Sequence, residues 1–260
     1  MGVRLIIEAA CICNTGRIRK NNEDNFYFNG ECLDLENNGL AAPITVTTPL
    51  KTGICYAVFD GLGGECFGEC ASFAAAQHMQ KTRRTLADVL IPAPKHLVNM
   101  VNRLNDAVLK AQKEKMTEHM ATTMVAFYFS GRHVYSCNLG DSRAFRLRDG
   151  ELRQMSTDHA ANRPGRGYAK APLTQYLGIN TDEMLLEPSI DKEEVQQGDM
   201  YLLCSDGLTD MLSNSEISDI MCKSKSAESC AEALVAAALE HGGRDNVTVI
   251  VCKLISQGSA

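Results

Sequence analysis

The sequence predicts an α+β fold in which antiparallel sheets are covered by helical hairpins. Two observations carry this. Period-two segments occur in blocks that alternate with paired helical segments, without the strand–helix–strand rhythm of a parallel sheet. The dipeptide Asp149-Gly150 also separates two strand-like runs, 143–148 and 151–155, as a two-residue hairpin turn should.

Taken in order, residues 5–13 and 26–28 read as strands. The polar stretch that follows, with Asn37-Asn38-Gly39 and Pro43, reads as a long connection or insertion up to Gly53. Residues 54–59 form a short apolar run stopped by Asp60-Gly61, the pattern of a buried strand. Residues 69–84 turn helical. After Pro92 and Pro94 a second helix places Leu97, Val101, Leu104 and Val108 on one face and ends near Lys113 and Lys115. Strand periodicity returns at 123–129, 133–137, 143–148 and 151–155, and again at 200–204. Ser213 with Glu216 reads as a capping box, and a helix over 227–241 stops at Gly242-Gly243. A β-branched strand, 247–254, closes the chain, and residues 256–260 are expected to fray.

Composition narrows the function classes. With 260 residues, 45% hydrophobic and 22% charged, the chain suits one globular domain over 1–260. A net charge of −6 argues against a nucleic-acid partner, because phosphate backbones select basic surfaces. Eleven cysteines, an odd number without regular spacing, point to reduced thiols and a cytoplasmic setting. Arg4 and Glu8 interrupt the N-terminal apolar stretch, so no signal peptide is expected. Ile6 breaks the myristoylation pattern, and no apolar run reaches membrane-spanning length, so no membrane partner is expected.

The chemistry lies in acids at strand ends. Residues 56–62 and 201–208 share one pattern: an apolar strand, then Asp60-Gly61 or Asp206-Gly207. A third acid, Asp245, immediately precedes the last strand. Neighbouring strands lie about 4.8 Å apart, so their ends can gather carboxylates that repel one another. A hard divalent cation relieves that repulsion, and all-oxygen ligation suits Mg²⁺ or Mn²⁺ over Zn²⁺. Two such ions about 3.5–4 Å apart would activate water and clamp a phosphoryl group. Glu23 and Asp24 add carboxylates, and Arg19 could grip a phosphate as a fork. Residue types alone leave a second reading open, in which these acids are turn caps on the surface.

Seven ordered blocks then resemble one family. They are Arg19-Lys20-Asn21-Asn22-Glu23-Asp24, Val58-Phe59-Asp60-Gly61-Leu62-Gly63-Gly64, Gly68-Glu69-Cys70-Ala71-Ser72, Asn138-Leu139-Gly140-Asp141-Ser142-Arg143, Thr157-Asp158-His159, Gly198-Asp199 leading to Ser205-Asp206-Gly207-Leu208, and Arg244-Asp245-Asn246-Val247-Thr248. Together they resemble the bacterial form of the metal-dependent type 2C Ser/Thr protein phosphatases. The resemblance implies a four-layer α-β-β-α sandwich with a centre of two Mn²⁺ or Mg²⁺ ions at one end. By position it implies that Asp60 bridges the ions with the Gly61 carbonyl on one, and that Asp206 and Asp245 hold the other. It further implies that Glu23 touches the centre through water, Asp24 orients Arg19, and Arg19 binds the substrate phosphate. Asp141 and Arg143 would form a structural salt-bridging turn. The implied reaction is direct attack of metal-activated water on phosphoserine or phosphothreonine. The implied partners are phosphorylated proteins that a Ser/Thr kinase has modified.

The sequence departs from the family pattern at several points. Leu62 stands where animal members carry a proposed general-acid His and bacterial members usually have Met; His159 reads as a packed structural histidine. His119-Met120-Ala121-Thr122-Thr123 replaces the usual Gly-Met-Gly-Thr-Thr, leaving Glu118 and His119 as the nearby candidates for a third ion. The segment 160–177, with Arg163, Arg166 and Lys170, is shorter than the usual flap. Two rivals remain. Cys13 to Arg19 fits the C-x-x-G-x-x-R loop of thiol-dependent phosphatases, and Cys137 to Arg143 fits the same expression. A phosphoprotein-binding pseudophosphatase would lack one of Asp60, Asp206 or Asp245, and all three are present. Cys66 and Cys70 have no second pair at zinc-ligand spacing and read as small buried residues.

Overall fold

Along β1 (Leu5–Asn14), successive side chains enter two different cores: Ile7, Ala9, Cys11 and Cys13 face one, Ala10 and Ile12 the other. A strand buried on both faces reads as an unbroken apolar run, which explains why these strands show little polar alternation. The computed structural model describes residues 4–62, 67–87, 91–117, 119–161 and 171–256. After β1 come β2 (Asp24–Tyr27), β3 (Ile44–Pro49), β4 (Ile54–Asp60), α1 (Gly68–Ala87) and α2 (Ala93–Lys115). Next are β5 (Met124–Ser130), β6 (His133–Leu139), β7 (Arg143–Arg148), β8 (Glu151–Gln154), β9 (Ser189–Glu194) and β10 (Met200–Cys204). The short α3 (Asp206–Thr209), then α4 (Asn214–Lys223), α5 (Ala227–Glu240) and β11 (Val247–Ser256) complete the order.

Two sheets result, with strand orders β3-β1-β11-β10-β7-β8 and β2-β4-β5-β6-β9. Every strand pairing in them is antiparallel. The core between the sheets gathers Ile7, Tyr56, Val58, Phe127, Tyr201 and Ile250. Opposite faces of the same strands meet helices. Ala57, Phe59 and Ala126 pack under Ala75, Met79, Leu97 and Leu104 of α1 and α2. Val249, Val251 and Leu202 pack under Leu234, Val235 and Ile217 of α4 and α5. Three apolar interfaces make four layers, helices–sheet–sheet–helices, as expected.

Local signals act as read. Asp149 and Gly150 both take positive φ, 51° and 82°, which a tight primed hairpin turn requires. The Ser213–Glu216 capping box forms at the start of α4. Two expectations need correction, and one strand has no counterpart among them. The stretch before Gly53 is no mere connection: β3 pairs with β1 along the sheet edge. Its alternating half-buried and exposed pattern, with Thr45, Thr47 and Thr48, hides an edge strand behind polar residues. The acid-rich β9 was equally hidden; Arg146 and Arg153 of the facing sheet pair with its Glu193, which makes the charges tolerable there. Ser256 belongs to β11, opposite Leu5, so it is not part of a frayed tail, and residues 257–260 lie outside the described ones.

Candidate metal centre

Each sheet delivers acids to the same end of the sandwich. In one sheet Asp24 and Asp60 sit directly opposite each other at the paired ends of β2 and β4. In the other, β10 ends just before Asp206, while Asp245 stands just before its antiparallel neighbour β11. The expectation that neighbouring strands of a sheet bring the acids together therefore holds in halves, a pair from each sheet.

Hydroxyl groups join the halves. Ser205 Oγ and Thr248 Oγ1, from the β10–β11 side, each donate to Asp24 Oδ2 at 2.7 Å. Asp24 is 1% exposed. Burial pushes its carboxyl up to about 7, the two hydroxyl donors hold it back, and Asp206 and Asp245 raise it further. Asp24 is therefore a staple between the sheets. The expectation that it orients Arg19 is corrected, because both donors reach it first and Arg19 Nη2 pairs with Asp245 Oδ2 at 2.8 Å.

Asp60 is held by its backbone. Its carbonyl accepts from Thr123 N at 2.8 Å and Thr122 Oγ1 at 2.9 Å, and its own N–H donates to Thr123 Oγ1 at 3.1 Å. These bonds leave its carboxyl in the acid field. Burial raises its pKa well above the ordinary range, followed by Asp206, Asp24, Asp141 and Asp245. Glycines allow the tight approach that follows. A Cβ on Gly61 would lie 2.3 Å from Gly68 O, and one on Gly207 would lie 1.9 Å from Asn246 O. Gly61 N donates to Glu23 O at 3.1 Å. The half-buried Glu23 carboxyl is raised by burial, lowered by Arg19, and raised again by Glu69 and Asp245.

The donor set is therefore all oxygen and crowded with like charge, which is the chemistry that hard divalent cations fit. Among the described residues, no three His, Cys, Asp or Glu side chains already form a closed ligand cluster. The acids share an electrostatic field, and Asp245 is taken up by Arg19.

Two contacts escaped the sequence reading. Arg143 of the structural turn pairs with Asp158, Nη2 to Oδ2 at 2.6 Å and Nε to Oδ2 at 3.0 Å, while Asp141 also raises the Arg143 pKa. Asp141 adds to the field on Asp60 too. Its place between strands, like that of the other three acids, was the available signal. The role of Thr122 and Thr123 as the backbone clamp on Asp60 was also missed.

His159 matches its structural reading: its Nδ1 accepts from Gly140 N at 3.2 Å, and burial lowers its pKa. Glu118, Cys66 and residues 162–170 of the short flap, Arg163, Arg166 and Lys170 among them, lie outside the described residues. The thiol rival fails on geometry. Cys13 is fully buried within β1, and burial followed by the Asp24 charge pushes its thiol up to about 12. Cys137 is buried in β6, and its thiol is raised by burial as well. No helix opens after Arg19, since β2 begins at Asp24.

Comparison with known proteins agrees with the geometry. The profile of the family described as Protein phosphatase 2C matches residues 45–241. The chain belongs to that family. Within the protein phosphatase 2C family it is 31% identical over 274 residues to the serine/threonine protein phosphatase PstP of Mycobacterium tuberculosis, across 97% of this chain and 46% of that protein. The chain thus spans about half the length of these mycobacterial relatives. It is 30% identical over 257 residues to the serine/threonine phosphatase stp of Listeria welshimeri, across 91% of each. The catalytic domain of PstP in complex with 2 manganese ions has a similar fold, with a TM-score of 0.75 at 28% identity over 96% of this chain and 99% of that one. No helix among the described residues is long and apolar enough to cross a membrane.

Proposed function

We propose that this protein phosphatase 2C member hydrolyses phosphoserine and phosphothreonine in proteins, using a pair of divalent cations, Mn²⁺ or Mg²⁺. One observation carries the reading: Asp60 is buried in the combined field of Asp206, Asp24, Asp141 and Asp245, and Arg19 pairs with Asp245 beside them. Such a cluster is stabilised by cations from outside the chain. The mycobacterial relative with 2 manganese ions supports the same reading.

Asp60 would hold both cations, with the Gly61 carbonyl on one of them. Asp206 and Asp245 would hold the other, and Glu23 would reach the centre through water. The chemistry such ions supply when bound is Lewis acidity, an attacking water of lowered pKa and neutralised phosphoryl oxygens.

The remaining work belongs to the chain. Arg19, with a side chain 43% exposed, presents a planar fork to phosphate oxygens and can exchange its Asp245 contact for them. Asp24 stays buried and keeps the two acid-bearing sheet ends in register. Leu62 offers no proton to the leaving serine or threonine oxygen, and His159 Nδ1 is engaged by Gly140 N. The expected substrates are phosphoproteins modified by a Ser/Thr kinase, met in the cytoplasm.

The test is hydrolysis of p-nitrophenyl phosphate by the purified protein with Mn²⁺, beside Asp206→Asn. Turnover that needs Mn²⁺, is stopped by EDTA and is lost in the variant supports the reading. No Mn²⁺-dependent turnover above the Asp206→Asn control would leave phosphoprotein binding without hydrolysis as the function. Activity that survives EDTA but not iodoacetamide would transfer the chemistry to a thiol.

A further inference from the structure

Asn246 follows Asp245 and is 4% exposed, yet its side chain makes three hydrogen bonds into a different part of the chain. Its Nδ2 donates to Thr15 O at 2.8 Å and to Asn21 O at 2.9 Å, and its Oδ1 accepts from Glu23 N at 2.8 Å. Both N–H donors are used, and each bonded backbone group lies in the loop that bears Arg19 and Glu23. The same loop leans on the turn before β11 at two further points. Arg17 N donates to Gly243 O at 2.8 Å, and a Cβ on Gly16 would lie 2.2 Å from Asp245 O.

We propose that Asn246 is a positioning residue for phosphate capture: it clamps both ends of the 15–23 loop and so sets where the Arg19 guanidinium stands relative to Asp245. The inference rests on the function proposed above. Arg19 is long and half-exposed, and one ion pair to Asp245 holds its tip. Its aim therefore depends on where its backbone is fixed, and Asn246 bonds the loop on both sides of it. An amide is the group the site requires. An aspartate at 246 would keep the bond from Glu23 N but set an oxygen against the carbonyls of Thr15 and Asn21. Misplacement of a binding group by about 1 Å can cost about 10²-fold in rate, so a backbone clamp can act at a distance from the reacting atoms.

The experiment is a double-mutant cycle between Asn246 and Arg19 on a phosphothreonine peptide at saturating Mn²⁺. Asn246→Ala should lower kcat/KM about 30-fold, mostly as a higher KM, and weaken inhibition by inorganic phosphate in parallel. In an Arg19→Ala background the same substitution should cost less than about 3-fold, because the group it aims is gone. Asn246→Asp should follow Asn246→Ala, and both should keep the wild-type circular dichroism. Independent, multiplying losses in the cycle would overturn the proposal. So would a raised Mn²⁺ requirement with KM unchanged, which would assign Asn246 to Asp245 alone. Loss of the folded state in both variants would make Asn246 a scaffold residue. An inactive wild type would instead remove the proposed function and this inference together, an outcome distinct from an active enzyme with additive variants.

Discussion

Strand β10 carries an aspartate at each end, and the two live in opposite surroundings. Asp199, just before the strand, is 1% exposed and fully partnered. Arg148 grips both of its oxygens at 2.7 Å, Tyr201 Oη donates at 2.8 Å and Gln196 N at 2.7 Å. Asp206, beyond the five strand residues and Ser205, acts instead on Asp60 and Asp24 with the same sign as Asp141 and Asp245. Both acids precede or follow the same apolar run. What separates scaffold from function here is the company each acid keeps: a bidentate guanidinium on Asp199, and the carboxyls of Asp60 and Asp24 beside Asp206.

That contrast can be broken most sharply by removing one acid from each side. Asp206→Asn should cut Mn²⁺-dependent turnover by about 10³-fold or more, because several kcal/mol of transition-state stabilisation go with the ion. Steady-state rates on p-nitrophenyl phosphate measure it; a loss under tenfold would place Asp206 outside the centre. Arg19→Ala should act next, lowering kcat/KM for a phosphopeptide about 10²-fold while the Mn²⁺ dependence of the rate is retained. If KM were unchanged, Arg19 would not be the phosphate ligand.

At the other end of β10 the readout should switch from activity to stability. Asp199→Asn leaves the Arg148 guanidinium without its carboxylate and should cost about 3 kcal/mol by urea unfolding, with kcat nearly unchanged in the folded enzyme. A large fall in kcat with little loss of stability would reverse the comparison.

The smallest expected effect is on pH dependence. Asp24 is raised to about 7 and Asp60 is raised too, so the folded state favours their protonated forms. Stability from groups shifted this way is complete below the ordinary carboxylate pKa and drains away as pH rises through the folded value. The chelated protein should therefore melt about 4 °C lower at pH 8 than at pH 5.5, with Mn²⁺ closing the gap. Asp60→Asn should flatten the difference. A Tm that rises with pH in the chelated protein would contradict the raised carboxyls of Asp24 and Asp60.

Much of this was legible in the residues. Apolar runs such as Met200–Cys204 marked strands buried on both faces, and Asp149-Gly150 marked its turn. The recurrence of Asp-Gly after two such runs, with Asp245 before a third, pointed to the acid-bearing end. What sequence spacing conceals is pairing across the fold. Arg148 and Asp199 stand 51 residues apart, and nothing local tells that Arg143 reaches Asp158, 15 residues on. The same holds for Asp24, whose hydroxyl partners lie 181 and 224 residues away. The polar edge strands β3 and β9 escaped because their charges and threonines face solvent or cross-sheet arginines, which erases apolar periodicity.

The most direct measurement is calorimetric titration of Mn²⁺ into the chelated wild-type protein and into Asp60→Asn, followed through protons released as well as heat. More than one ion per wild-type chain, with proton release near pH 6 and weaker binding in the variant, is the result this structure predicts. Equal titrations for the two proteins, or no binding at millimolar Mn²⁺, would contradict it.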